Sequence, residues 1–429
     1  MTDDALTSAE AANVTDDALT SAEAASVTDG MARRLRVALV LGSSTGGIGA
    51  HVRSLVLGLI PRGFEVTVCC APATAELFDY VGAGARVEPL SLPAGLDLRD
   101  LRAMRTLRRF LLPDPVDVIH AHGLRAGLAA GLARPSRVPL VVTWHNAVLG
   151  RGLRVRALRA AETYVARTAD VTLGASDDLV DRARALGGRD VRLGVVAAPS
   201  RSAPSRTPAE VRAELEAQGR PIVLSVGRLH PQKGYPGLIA AAARWRSLSP
   251  PPLVVIAGTG PAYRELAAQI ATERAPAMLL GHRADVPDLL SAADVAVSSS
   301  VWEARQLFAQ EALAAGVPLV ATRVGGLPGL VGDAALLVPP QDVDALDEAV
   351  RRLLDDAHLR ATLATAGRAR AATWPTEQDT LDQVAAVYAE LGPATAVASD
   401  PVATDPRATD PRATDPRAAE PPDDLDRAP

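Results

Sequence analysis

Short apolar runs of four to seven residues alternate along this chain with longer stretches rich in Ala, Leu and Arg. That alternation constrains the fold more than any other feature. It predicts strands joined by crossover helices, an α/β architecture with parallel sheets. Strands are expected at 36–42, 65–70, 116–120, 139–143 and 170–174, and again at 221–226, 253–257, 277–280, 294–298 and 318–321. The Pro- and Ser-rich stretch 199–212 divides the two sets, and each set has the size of one doubly wound domain. Aromatic residues are only 3% of the chain, so Ala, Val and Leu must fill both cores. Ligands of such sheets bind outside the carboxyl ends of the strands, so two facing domains imply an interdomain cleft.

The two ends read differently. Residues 2–14 recur almost unchanged at 15–27, and ATDPR recurs at 403–407, 408–412 and 413–417. The first repeat is acidic and Ala-rich, and the second carries proline every five residues, so both are expected to be disordered. The expected organisation is a tail over 1–34, a Rossmann-like domain over 35–198 and a linker over 199–220. A second Rossmann-like domain follows over 221–372, then a helix over 373–392, and a second tail over 393–429.

Composition removes several classes of function. A net charge of −5 excludes attraction to a polyanion as the main driver, and with it a general nucleic-acid partner. No apolar run approaches the roughly 18 residues of a membrane-spanning helix. Arg33, Arg34 and Arg36 before Val37–Leu41 imitate a secretion signal, but the apolar stretch is short and runs into Ser-Thr-Gly-Gly. Adjacent Cys69 and Cys70 inside a predicted strand argue against a disulfide framework, and the expected location is cytoplasmic.

The chemistry should therefore sit where strands end. The first strand runs into Gly42-Ser-Ser-Thr-Gly46-Gly47-Ile-Gly49, ahead of a helix from about His51. Glycines admit a ligand close to the backbone, and a helix N-terminus offers N–H groups to an anion. The spacing is not G-x-G-x-x-G, and Tyr263 replaces the third glycine after Gly258-Thr-Gly260, which disfavours a dinucleotide dehydrogenase. Among 45 basic residues there is one lysine, Lys233, in Gly227-Arg228-Leu-His-Pro-Gln-Lys233-Gly234. Arg228 and Lys233 can place two cations on a diphosphate.

Glu303 and Glu311 are expected at the entry and in the body of one helix. Eight helical steps would separate them by about 12 Å, too wide for the roughly 5–9.5 Å of a hydrolytic carboxylate pair. They suit two ends of an extended ligand, or two exposed helix glutamates. His120, His122 and His145 lie at strand ends. His120 and His122 are read as pointing to opposite faces, and no Cys or carboxylate stands at ligand spacing, so no metal centre is expected. The Arg-rich stretches 99–109 and 151–167, with Arg151, Arg154, Arg156, Arg159 and Arg167, suit a helix covering a sheet, an anionic ligand such as a sugar phosphate, or peripheral contact with anionic lipid.

Assembled, these motifs resemble a family 4 glycosyltransferase of the GT-B fold over about residues 35–392. The resemblance rests on Gly46-Gly47-Ile-Gly-Ala-His51, His120-Ala-His122, Gly227-Arg228 with Lys233-Gly234, Gly258-x-Gly260-Pro261, the Glu303/Glu311 pair and Gly316-Val-Pro318 with Gly325-Gly326. It implies transfer of a hexose-type sugar from a nucleotide diphosphate donor to an unidentified acceptor, with retention of configuration, no cofactor and no essential metal. It further implies His122, Arg228, Lys233 and Glu303 as catalytic residues, and Gly46, Gly47, Gly260, Arg305, Gln306, Leu307 and Glu311 against the donor. His51, His145, Arg151 and Arg154 are the acceptor-side candidates. Three positions depart from the family pattern. Glu-Gly-Phe-Gly is replaced by Glu303-Ala304-Arg305-Gln306, the Glu after Gly-Gly-x-Pro by Gly329, and Asn-Gly after the fifth strand by Ala197-Ala198-Pro199. An inactive nucleotide-sugar binder and a GT-B sugar epimerase are the alternatives.

Overall fold

A computed structural model describes residues 33–393, apart from residue 45 and residues 93–97, 113–115, 151, 198–202 and 218, and apart from the side chains of 98–101. Both repeat tails, Arg151 and the Ala198-Pro199 departure lie outside the described residues.

The first sheet contains β1 (Arg36–Leu41), β2 (Glu65–Cys70), β3 (Arg86–Pro89), β4 (Val118–His122), β5 (Leu140–Trp144), β6 (Val171–Gly174) and β7 (Val191–Leu193). The second contains β8 (Ile222–Val226), β9 (Leu253–Ala257), β10 (Ala277–Gly281), β11 (Val295–Ser298), β12 (Leu319–Thr322) and β13 (Ala335–Val338). Every pairing is parallel, in the orders β3-β2-β1-β4-β5-β6-β7 and β10-β9-β8-β11-β12-β13. Each is the doubly wound order, which reverses direction beside its first strand, so the ligand crevices open where β1 meets β4 and β8 meets β11. The α/β expectation of two doubly wound parallel sheets holds.

Burial on both faces explains the unbroken apolar strands. In β1, Val37, Leu39 and Leu41 face one core while Ala38 and Val40 face the other. In β8, Ile222 and Leu224 are likewise separated from Val223. The pattern did not reveal β3, β7 and β13. These are short edge or near-edge strands, without the run of buried residues that marks a central one. The predicted 116–120 strand is shifted to Val118–His122. Val118 pairs with Val37, and just before it the Asp117 N–H donates to the Arg36 carbonyl while the Asp117 carboxylate accepts the Arg36 N–H, both at 2.8 Å.

Cys69 and Cys70 are buried free thiols in β2. No helix among the described residues is long and apolar enough to cross a membrane. The C-terminal helix Glu377–Leu391 opens with a Thr376–Asp379 capping box. It lays Leu381, Val384, Val387 and Tyr388 into the core that contains Val37, Leu39, Leu41 and the buried face of helix Gly47–Leu59. Before β8, Asp288 accepts the Ser205 N–H at 2.6 Å and the Arg206 Nε–H at 3.1 Å, and Arg283 donates to Glu214 at 2.6 Å. These bonds fasten the connecting segment to the second half.

Candidate active site

Four histidines gather at the first crevice because three elements point one face at it. In β4, His120 and His122 lie on the same face as Val118, toward helices Gly47–Leu59 and Glu377–Leu391. Alternate residues of a strand share a face, so the expected divergence of the two rings is wrong, and their centroids are 4.3 Å apart. His120 is consumed structurally: Nδ1 is 2.6 Å from the Tyr388 hydroxyl and Nε2 is 2.7 Å from Thr143 Oγ1. His51 belongs to the buried stripe of helix Gly47–Leu59, and His145 follows the end of β5. The His51 ring stands 5.5 Å from both the His122 and His145 rings.

Burial removes the water that would solvate an imidazolium, so these rings stay neutral. His51 is lowered to about 4 by burial. His120 is lowered to about 3, by burial and then by His51. His122 and His145 also fall well below the ordinary value, through burial first and their neighbouring imidazoles second.

The second crevice is built from loops stitched to one another. After β8 the chain turns through Pro231–Lys233 and leaves by Gly234, whose φ of 67° only glycine adopts without strain. The Val301 N–H donates to the Gln232 carbonyl at 2.7 Å, Gln232 Nε2–H to the Trp302 carbonyl at 2.8 Å, and Ser299 Oγ–H to the Lys233 carbonyl at 2.9 Å. Held in this way, Lys233 Nζ lies 2.6 Å from Glu303 Oε1. The same oxygen accepts from Ser300 Oγ at 2.7 Å and from Gln306 Nε2 at 3.3 Å. Arg228 is exposed and makes no hydrogen bond or ion pair with any described residue.

Helix begins only at Leu307, with Gln306 as its cap, so Glu303 sits in the preceding loop and the helical spacing of 12 Å does not apply. The carbonyls of that loop explain Gly325 and Gly326, whose roles the sequence did not reveal. A Cβ on Gly325, at φ 49°, would overlap the Glu303 carbonyl, and one on Gly326 would overlap that of Ala304. The Gly326 N–H donates to the Glu303 carbonyl at 2.9 Å. Gly260 similarly packs its backbone on Leu229. Glu311 is half-buried in helix Leu307–Ala315. The Arg305 guanidinium does not join Lys233 beside Glu303. It lies 5.8 Å from the Trp374 ring centroid, where burial and then Arg370 lower its pKa.

The two crevices meet. A Cβ on Gly47 would stand 3.4 Å from Leu307 Cδ1, so the N-terminal turns of helices Gly47–Leu59 and Leu307–Ala315 come together across the cleft. Two helix N-termini concentrate unpaired N–H groups and positive potential there. The sequence also missed Trp302, which packs its ring into the first half's core and donates to Asp178 Oδ2 at 3.0 Å. Arg154 is exposed, on helix Leu153–Thr168.

The family description "Glycosyl transferase 4-like domain" matches residues 46–199, and "Glycosyl transferases group 1" matches residues 207–370. The chain is 32% identical over 373 residues to the glycogen synthase of Mycobacterium tuberculosis strain H37Rv, covering 76% of this chain and 86% of that one. It is 32% identical over 365 residues to a Streptomyces fradiae 2-deoxystreptamine N-acetyl-D-glucosaminyltransferase, covering 75% and 86%. The crystal structure of Anabaena HepE in complex with UDP superposes with a TM-score of 0.70 at 22% identity, over 83% of this chain and all of that one.

Proposed function

The chain belongs to the family 4 glycosyltransferases of GT-B fold, and from that premise we propose that it moves a hexose-type sugar from a uridine diphosphate donor with retention of configuration and without an essential metal. The observation that carries this reading is the Lys233–Glu303 pair, held 2.6 Å apart in the cleft where two helix N-termini meet. Uridine is placed first because a relative 25% identical over 317 residues is named for UDP-Gal.

In this reading the sugar hydroxyls take over the Glu303 carboxylate, and Lys233 turns to the diphosphate. Arg228, which has no protein anion to leave, joins it. As the glycosidic bond breaks, the two cations and the backbone N–H groups at Gly47 and Leu307 receive the growing negative charge, the work a metal ion does elsewhere. Gly46 and Gly260 let backbone approach the donor, Gln306 orients Glu303, and Glu311 holds the ribose. Neutral His122 faces the transferred sugar and accepts or donates a hydrogen bond without bringing a charge. The acceptor enters past His51, His145 and Arg154.

A thermal-shift panel of UDP-, GDP-, ADP- and dTDP-sugars tests this. Donor at 100 times its Kd stabilises the protein by about 2.7 kcal/mol. One donor should raise the unfolding temperature, and its sugar should be transferred equally well in EDTA. No stabilisation by any donor overturns the reading, as does turnover lost with EDTA. Stabilisation without turnover identifies an inactive binder, and conversion of donor without acceptor an epimerase.

One observation favours a surface-bound acceptor. Leu153 is 81% exposed beside exposed Arg154, Arg156 and Arg159 on one helix. Each basic residue near an anionic bilayer contributes about 1 kcal/mol. Sedimentation with anionic but not neutral vesicles at low salt supports peripheral docking, and no sedimentation with either removes it.

A further inference from the structure

His51, His122 and His145 reach one point from three separate elements, which is why no ligand spacing is visible along the sequence. One nitrogen from each ring can be chosen so that all three lie within 4.8 Å of one another. The tightest pair, His122 Nδ1 and His145 Nε2, is 3.3 Å apart. Two nitrogens bound at about 2.0–2.1 Å to one tetrahedral zinc ion stand roughly 3.3–3.4 Å apart. That pair therefore already spans one edge of a ligand tetrahedron.

The other nitrogen of that ring, His122 Nε2, is buried and finds no hydrogen-bond partner among the described residues; it diverges from Nδ1 and takes no part in the ligand set. His120 is not a ligand candidate, because Tyr388 and Thr143 occupy both of its nitrogens. The remaining donor set is three imidazoles without carboxylate or thiolate. Such a set suits zinc, cobalt, nickel or copper rather than magnesium or calcium, and leaves one position open.

We propose that His51, His122 and His145 form a zinc-class transition-metal site on the first half's side of the cleft, and that an ion held there inhibits sugar transfer. The ion would lock His122, the residue assigned beside the transferred sugar, and stand in the acceptor's path. The metal site rests on the three imidazoles alone; the inhibition also rests on the transferase reading.

The test uses the full chain freed of metal. Cobalt is titrated and its visible absorption followed, and zinc affinity is measured by competition with a chromophoric chelator. One ion per chain is expected, with affinity reduced at least about tenfold in His51→Ala and in His145→Ala. His282→Ala and His358→Ala, at exposed positions in the second half, should bind as the wild type does. Because alanine at a buried site can unfold the protein, His51→Gln and His145→Gln are measured alongside, with circular dichroism to verify folding. No stoichiometric binding, or equal binding in the folded cluster variants, overturns the site. Zinc should also suppress transfer by the wild type, with EDTA restoring it, and suppress the residual transfer of the variants less. Equal fractional suppression overturns the inhibitory role. Failure of any donor to bind overturns the transferase reading and leaves the cobalt result standing.

Discussion

Lys233 Nζ and Glu303 Oε1 form a 2.6 Å ion pair across 70 residues of sequence. The chain's one lysine thus neutralises the first of its paired glutamates. Lys233→Ala should lower kcat/KM by about 100-fold or more, the scale of losing one donor to a developing anion. It should also lower the unfolding temperature, because Glu303 then stays buried without its counter-ion. Adding Glu303→Gln should restore stability without restoring turnover. A double variant no more stable than Lys233→Ala would show that the pair is not energetically coupled.

Gly325→Ala places a methyl group against the Glu303 carbonyl at a φ of 49°. Left-handed backbone and the overlap together should cost about 1–3 kcal/mol. Activity should fall more than tenfold although residue 325 carries no side chain to bind a ligand. Chemical denaturation alongside initial rates measures both, and unchanged kinetics would separate this glycine from the positioning of Glu303.

Tyr388→Phe removes the hydroxyl 2.6 Å from His120 Nδ1 and leaves a buried ring nitrogen unsatisfied. A loss of about 1–3 kcal/mol is expected, read as a shift in denaturant midpoint. Donor binding should be little altered, because Tyr388 faces the first half's core.

Acid should loosen the connecting segment. Hydrogen bonds from Arg283 and Arg206 hold Glu214 down to about 2. A carboxylate depressed in the folded state contributes stability above its unfolded value near 4.5, and that contribution is lost as pH falls toward 2. Arg283→Ala should therefore flatten the unfolding temperature between pH 4.5 and 2 relative to the wild type. Its partial exposure keeps the effect to a few degrees. Parallel profiles would show that this network contributes nothing to the acid limb.

Much of this was written locally. Short unbroken apolar runs between helical stretches placed the central strands, and glycines with a solitary lysine marked the loops after β1 and β8. Edge strands such as β3 bury too little to leave a pattern, so they were not visible. The convergence of His51, His122 and His145 was hidden because it depends on a strand, a helix and a loop meeting, and a wrong strand-face argument compounded the miss. Gln306 folding back on Glu303, Gly325 beneath the Glu303 carbonyl and Trp302 reaching Asp178 on helix Asp177–Ala185 all depend on how loops are folded. Residue type alone carries no record of such distances.

The return of helix Glu377–Leu391 sets an order for synthesis. Leu381, Val384, Val387 and Tyr388 complete the core that begins with Leu35 and Val37. The first described strand thus keeps an unfilled face until the last described helix follows it. The first half cannot mature ahead of the second, and a chain cut short before Glu377 would have both halves present and the first still open.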